Sequence, residues 1–171
     1  TSRVAADGRL SLSGVGLKTG RAYRIVRIGY TSKGVGPAPS STGGLECDKL
    51  SRAGIEAHWV GMPARILTLK GARETVAETF IDSYEVGGQN WSECLPDEFA
   101  RRCGYPIGAN LLTVCGYCLK DAGTATRFLW DYKRTIGELF AENYYDRFAG
   151  LCRAAGIRSC AQTYGGPFDN L

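Results

Sequence analysis

The stretch FIDSYEVGGQNW, residues 80–91, sets two carboxylates (Asp82, Glu85) and an amide pair (Gln89, Asn90) beside Trp91, just past a short apolar run. Carboxylates transfer protons, amides hydrogen-bond hydroxyl groups, and an aromatic face takes the C–H side of a pyranose ring. Two other stretches carry the same types: Glu46 and Asp48 in GLECDKLS, and Gln162, Tyr164 and Asp169 in AQTYGGPFDN. The set is poor in histidine, since His58 is the one histidine of the chain. No nucleophile-elbow or phosphate-loop motif occurs, and GVG at 14–16 and 34–36 lacks the dinucleotide spacing and the following helix. Phosphate chemistry is unsupported and no organic cofactor is implied. Acids, amides and aromatics together are what a glycoside hydrolase site requires.

These residues need elements to hold them, and the periodicity predicts which. Before Gly44, short alternating runs with frequent glycines predict β-strands and tight turns, closed by the linker-like VGPAPSSTGG. From Leu45 a short strand-like piece leads into a helix with Ser51 at its N-cap, which Gly54, Gly61 and Pro63 break. ETFIDSYE reads as the next strand. A helical region then precedes a long helix, in which Phe128, Tyr132, Ile136, Leu139, Phe140, Tyr144, Phe148, Leu151 and Cys152 recur at three- and four-residue steps. Gly156 sits where a left-handed cap belongs, and IRSCAQTYGG reads as a third strand.

Alternating strands and helices predict an α/β chain with a parallel sheet, so residues 1–44 are expected to end a β-rich unit and residues 45–171 to begin a second unit. In such sheets the chemistry sits at the carboxyl ends of strands, and all three acid- or amide-bearing loops would open on one end. Three strands are too few to close a barrel. With no initiator Met, this predicts a piece of a longer protein.

Composition narrows the function further. About 44% hydrophobic and 22% charged residues place the 171-residue chain among soluble globular domains. No apolar run approaches the roughly 18 residues of a membrane span, and the first residues form no secretory signal. The net charge of +4 comes from residues 1–44, which hold seven Lys/Arg against one Asp. Those cations are dispersed among apolar residues, so the reading is a solvated face and no nucleic-acid partner. Seven cysteines fit a disulfide scaffold poorly. CGYC at 115–118 has the spacing of a zinc half-site or a redox pair, but lacks further ligands at similar spacing; the thiols read as buried small hydrophobes.

Several of the motifs also carry a resemblance. GLECDKLS, IDSYEVGGQNW, RRCGYP, RFLWDYKRTIGELFAENYYDRFAGLCRAAGI and YGGPFD, in that order, resemble the catalytic region of glycoside hydrolase family 106, the α-L-rhamnosidases, over roughly residues 23–171. The resemblance implies a much larger enzyme with a (β/α)8-type barrel, of which this chain holds about the first three βα units. It implies hydrolysis of terminal α-L-rhamnosyl linkages with inversion by a carboxylate pair, a rhamnose-containing glycan as partner, and a periplasmic or extracellular location. Inversion needs the two carboxyl groups about 6.5–9.5 Å apart. Glu85 is expected to be one of them, and its partner to lie beyond Leu171. Calcium is allowed by the resemblance, although no EF-hand-like spacing occurs.

Glu46, Asp48, Asp82, Gln89, Asn90, Trp91, Gln162 and Tyr164 are the expected substrate contacts. Each has a plainer reading. Asp82 fits equally a backbone cap or a support for Glu85; Glu46 and Asp48 precede a helix start, where acids suit the dipole. At the third strand end the family commonly carries Glu-Pro-Tyr-Gly, whereas this chain has Gln162, Thr163, Tyr164 and Gly165. An amide cannot transfer the catalytic proton, so a degenerate, non-catalytic carbohydrate-binding fragment is the alternative.

Overall fold

A computed structural model of the chain describes residues 5, 7–32, 45–82 and 88–162. From Ser51 onward it is mostly helical. Three helices come first: α1 (Arg52–Gly61), α2 (Pro63–Ile66) and α3 (Ala72–Thr75). Pro63 opens α2 because it lacks an N–H to continue α1, so the expected break falls where proline imposes it. Ser51 holds the N-cap position of α1 in an extended conformation, without a side-chain capping bond.

Strand β1 (Glu78–Ile81) follows, then α4 (Leu95–Cys103), a 3-10 turn (Gly108–Asn110), α5 (Leu111–Val114) and α6 (Ala122–Leu139). Helix α4 has Asp97 and Glu98 in its first turn and Arg101 and Arg102 in its last, each sign matched to the helix dipole. Helix α6 starts at Asp121, whose carboxylate accepts from Thr124 N at 2.8 Å. The long helix continues through a π-helical stretch (Phe140–Asp146) into α7 (Arg147–Ala154). The period therefore widens in its middle, which the three- and four-residue steps alone do not reveal. Gly156 follows with φ +78°, the left-handed residue expected after the helix.

Strand β2 (Arg158–Ala161) lies parallel to β1 with Glu78 opposite Arg158 and Ile81 opposite Ala161. The connection between them is a helical crossover. Its helices bury two clusters. Leu50, Leu95, Phe99, Ile107, Phe128, Tyr132, Ile136, Leu139 and Phe140 form one, where α4 packs on α6. Ile55, Leu67, Phe148, Cys152 and Ile157 form the other, between α1, α7 and β2. Full burial of such side chains contributes about 1.5–3 kcal/mol each, which is what fixes the helices around the short sheet.

The described residues thus form a mixed α/β unit with two parallel strands, and no barrel is present among them. The strands expected before Gly44 and at residues 45–48 are absent among the described residues. Residues 45–48 are irregular, and Asp48 turns its carboxylate to Gln89 and Ser92, which follow β1. Residues 11–32 run as irregular chain with turns, and their apolar Ile25, Val26, Ile28 and Tyr30 are exposed, with no ladder to pair them. The cysteine expectation also needs correction: Cys152 is buried, but Cys115, Cys118 and Cys160 are exposed, and all seven are free. No helix among the described residues is long and apolar enough to cross a membrane.

Candidate active-site wall

Residues 88–92, which follow β1, lie against the chain that enters α1, and side chains tie the two together. Asp48 is the centre of the tie. Its Oδ1 accepts from Gln89 Nε2 at 2.5 Å and from the backbone of Leu50 at 3.0 Å, and its Oδ2 accepts from Ser92 Oγ at 2.6 Å. Gln89 completes the clasp: its Oε1 accepts from Lys49 N at 3.0 Å, and its Nε2 also donates to Trp91 O at 3.2 Å. Ser92 is buried, so this bond is sheltered from water.

Next to the clasp, Lys49 is almost wholly buried and its ammonium is paired with Glu46, as a charge removed from water requires. The ammonium also lies 5.5 Å from the centre of the Tyr144 ring. Leu50, fully buried, has its carbonyl satisfied by Asn143 Nδ2 at 2.8 Å from the π-helical stretch. Helix α1 comes so close that a Cβ on Gly54 would fall inside contact distance of the Asp48 carbonyl oxygen. Glycine is required there by space and not by its φ. Burial pushes the Cys47 thiol above its ordinary value and the His58 imidazole below it.

A cavity of about 640 Å³ opens over this arrangement, within the roughly 300–1,000 Å³ usual for ligand sites. Glu46, Asp48, Gln89, Asn90 and Trp91 all line it. Lys49, Ser92, Glu93, Tyr132 and Tyr30 line it too, and the sequence reading missed them. Tyr132 was legible as a core position on α6; its hydroxyl in addition donates to the Asn90 carbonyl. Ser92 gave no signal beyond sitting two residues after Asn90. Tyr30 lies before the linker, in a segment read as belonging elsewhere.

Asp82 and Gln162 stand at the adjacent carboxyl ends of β1 and β2, joined by the bond from Gln162 N to Ile81 O at 2.9 Å. Both are away from the cavity lining. Glu85, Tyr164 and Asp169 lie outside the described residues. Among the described residues no three of His, Cys, Asp and Glu stand together as a metal site.

Chemically, the wall offers hydrogen-bonding side chains and aromatic faces to a polyhydroxylated ligand. Asp48 and Gln89 direct their polar atoms to each other, to Ser92 and to the backbone, whereas Asn90 is exposed.

The comparisons with known proteins can be set beside this geometry. Residues 1–168 match the model of glycoside hydrolase family 106, described as alpha-L-rhamnosidase. A protein of Formosa agariphila (strain DSM 15362 / KCTC 12365 / LMG 23005 / KMM 3901 / M-2Alg 35-1), named "Putative beta-glucuronidase", is 41% identical over 151 residues, 86% of this chain and 13% of that protein. The structure of a rhamnosidase from Novosphingobium sp. PP1Y aligns with a TM-score of 0.63 at 26% identity, over 74% of this chain and 13% of that one. The chain therefore spans 13% of the length of each of these relatives. With residues 1–168 matched, the chain belongs to glycoside hydrolase family 106, the alpha-L-rhamnosidases.

Proposed function

We propose that the chain supplies one wall of the active site of a glycosidase that hydrolyses terminal α-L-rhamnosyl linkages with inversion. The observation that carries this reading is the convergence of Glu46, Asp48, Gln89, Asn90 and Trp91, from two segments some 40 residues apart, on one cavity. In this reading the clasp of Asp48, Gln89 and Ser92 fixes residues 88–92, which follow β1, and Asn90 and Trp91 face the substrate. Glu85, between Asp82 and Gln89 in sequence, is one carboxylate of the pair. The other comes from outside this chain, about 6.5–9.5 Å from the first, leaving room for the attacking water. The substrate is a rhamnose-containing glycan, met in the periplasm or outside the cell. The 171 residues alone then release no rhamnose, since half of the carboxylate pair is lacking.

One observation favours a second reading, carbohydrate binding without turnover. Gln162 stands beside Asp82 at the strand ends, an amide in a place where the family's motif commonly has an acid.

Release of p-nitrophenol from the aryl α-L-rhamnoside and the aryl β-glucuronide, by the protein that carries this chain, separates these readings. Turnover of the rhamnoside is expected, with a loss of at least about 100-fold in Glu85→Gln and an unchanged melting temperature. Turnover of the glucuronide alone would overturn the sugar assignment. Near-normal activity of Glu85→Gln would remove Glu85 from the mechanism, and binding without release would favour the second reading.

A further inference from the structure

The cavity has a wall that the carboxylate and amide cluster does not use. Tyr30 arrives from residues 28–32 and lays its ring on Trp91, with centroids 5.5 Å apart and planes 30° off parallel. Tyr30 as a residue is nevertheless 61% exposed. Its hydroxyl donates to Glu93 Oε1 at 3.3 Å, and that carboxylate pushes the phenol above its ordinary value. Beneath it, Trp91 packs against the larger core cluster, which anchors the pair.

Trp91 carries a second signal. Its indole N–H is the buried side-chain polar atom left without a partner among the described residues. A sheltered donor with nothing to accept from it is costly, and such atoms call for an explanation. With almost no accessible surface of its own, this N–H reaches a ligand hydroxyl only if the indole shifts.

We propose that Tyr30, Trp91 and Glu93 form a second pyranose subsite, which takes the sugar on the leaving-group side of the terminal residue. The proposal rests on the carbohydrate reading above. An exposed aromatic face matches the C–H side of a sugar ring, and the carboxylate at its edge accepts from equatorial hydroxyls. Glu46, Asp48, Gln89 and Asn90 come from the loop entering α1 and the loop leaving β1, the latter also carrying Glu85 in sequence. Tyr30 comes from neither. Tyr30 thus extends the wall beyond the acid-bearing loops, while Trp91 and Glu93 follow β1, and the cavity's volume exceeds what one pyranose fills.

Titration calorimetry on the protein that carries this chain tests the subsite, with L-rhamnose and a thio-linked, uncleavable α-L-rhamnosyl-(1→2)-glucose as probes. Tyr30→Ala is expected to weaken disaccharide binding about three- to tenfold and to change L-rhamnose binding less than about twofold. Tyr30→Phe, which keeps the ring, is expected to retain most of the disaccharide affinity. Equal losses for both sugars, or no loss for either, would overturn the subsite. If the unsubstituted protein binds neither sugar, the carbohydrate reading itself fails and the subsite falls with it.

Discussion

Ser92 Oγ donates to Asp48 Oδ2 at 2.6 Å, across 44 residues of sequence, and thereby fixes the loop after β1 to the chain that enters α1. Neither residue lies in a helix or a strand. The bond, with those from Gln89 and Leu50 N to the same carboxylate, does for these loops what a backbone ladder does for strands.

Removing the acceptor should therefore cost more than removing one donor. Asp48→Ala removes one partner each from Ser92, Gln89 and the Leu50 N–H, and is expected to destabilise the fold by about 2–3 kcal/mol. Ser92→Ala removes the bond to Asp48 and the weaker contact with Cys94 Sγ, and is expected to cost about 1 kcal/mol. Urea unfolding of the two variants and of the double variant measures this. Losses that simply add would mean that the two side chains act independently, and the clasp would not be a unit.

Gly54 and Gly137 should answer the same substitution with opposite signs. A methyl group at Gly54 meets the backbone oxygen of Asp48, which cannot swing aside, so Gly54→Ala is expected to lose about 1–3 kcal/mol. At Gly137, inside α6, the added Cβ finds open space; Gly137→Ala is expected to gain about 0.5–1 kcal/mol through helix propensity. A gain for both in the denaturation midpoint would contradict the close approach of α1 to Asp48, and a loss for both would contradict the open space at Gly137.

Arg102 joins α4 to the long helix. Its guanidinium donates to Glu98 at 3.2 Å, to Glu138 at 2.8 Å and to both oxygens of Glu142 at 2.8 and 2.5 Å. The bond from Arg102 holds the Glu142 carboxyl below its ordinary value of 4.5, and Arg101 first, then Arg102, do so for Glu98. A depressed carboxylate contributes stability that is present above its unfolded value and is lost as pH falls through its folded one. Stability should thus decline below pH about 4.5. Because the acids are partly exposed, Arg102→Met is expected to cost only about 1 kcal/mol at pH 7, the gap to the unsubstituted protein closing in acid. Arg102→Lys keeps the charge but loses the fork onto Glu142, so it should recover part of the difference. Unfolding at several pH values checks both; a gap that stays constant into acid would show that the Arg102–Glu142 pair does not set it.

Local chemistry made much of this legible in the sequence. Pro63 predicted the break after α1, Gly156 the left-handed residue after α7, and the spacing from Phe128 to Cys152 the long helix, because each depends on backbone sterics or on one helical face. The expected strands before Gly44 and at residues 45–48 did not appear among the described residues, since a strand requires a neighbour and a single stretch does not say whether one exists.

The sequence by itself determined which residue types were available: acids, amides and aromatics in the loops flanking α1 and β1, in an order that resembles glycoside hydrolase family 106. The tertiary structure decided which of them meet. It turned Asp48 and Gln89 toward each other, set Asp82 and Gln162 apart from the cavity lining, and brought in Ser92 and Tyr30. Propensity and periodicity act over a few residues, whereas a hydrogen bond across 44 positions forms only after two packed cores have placed both loops.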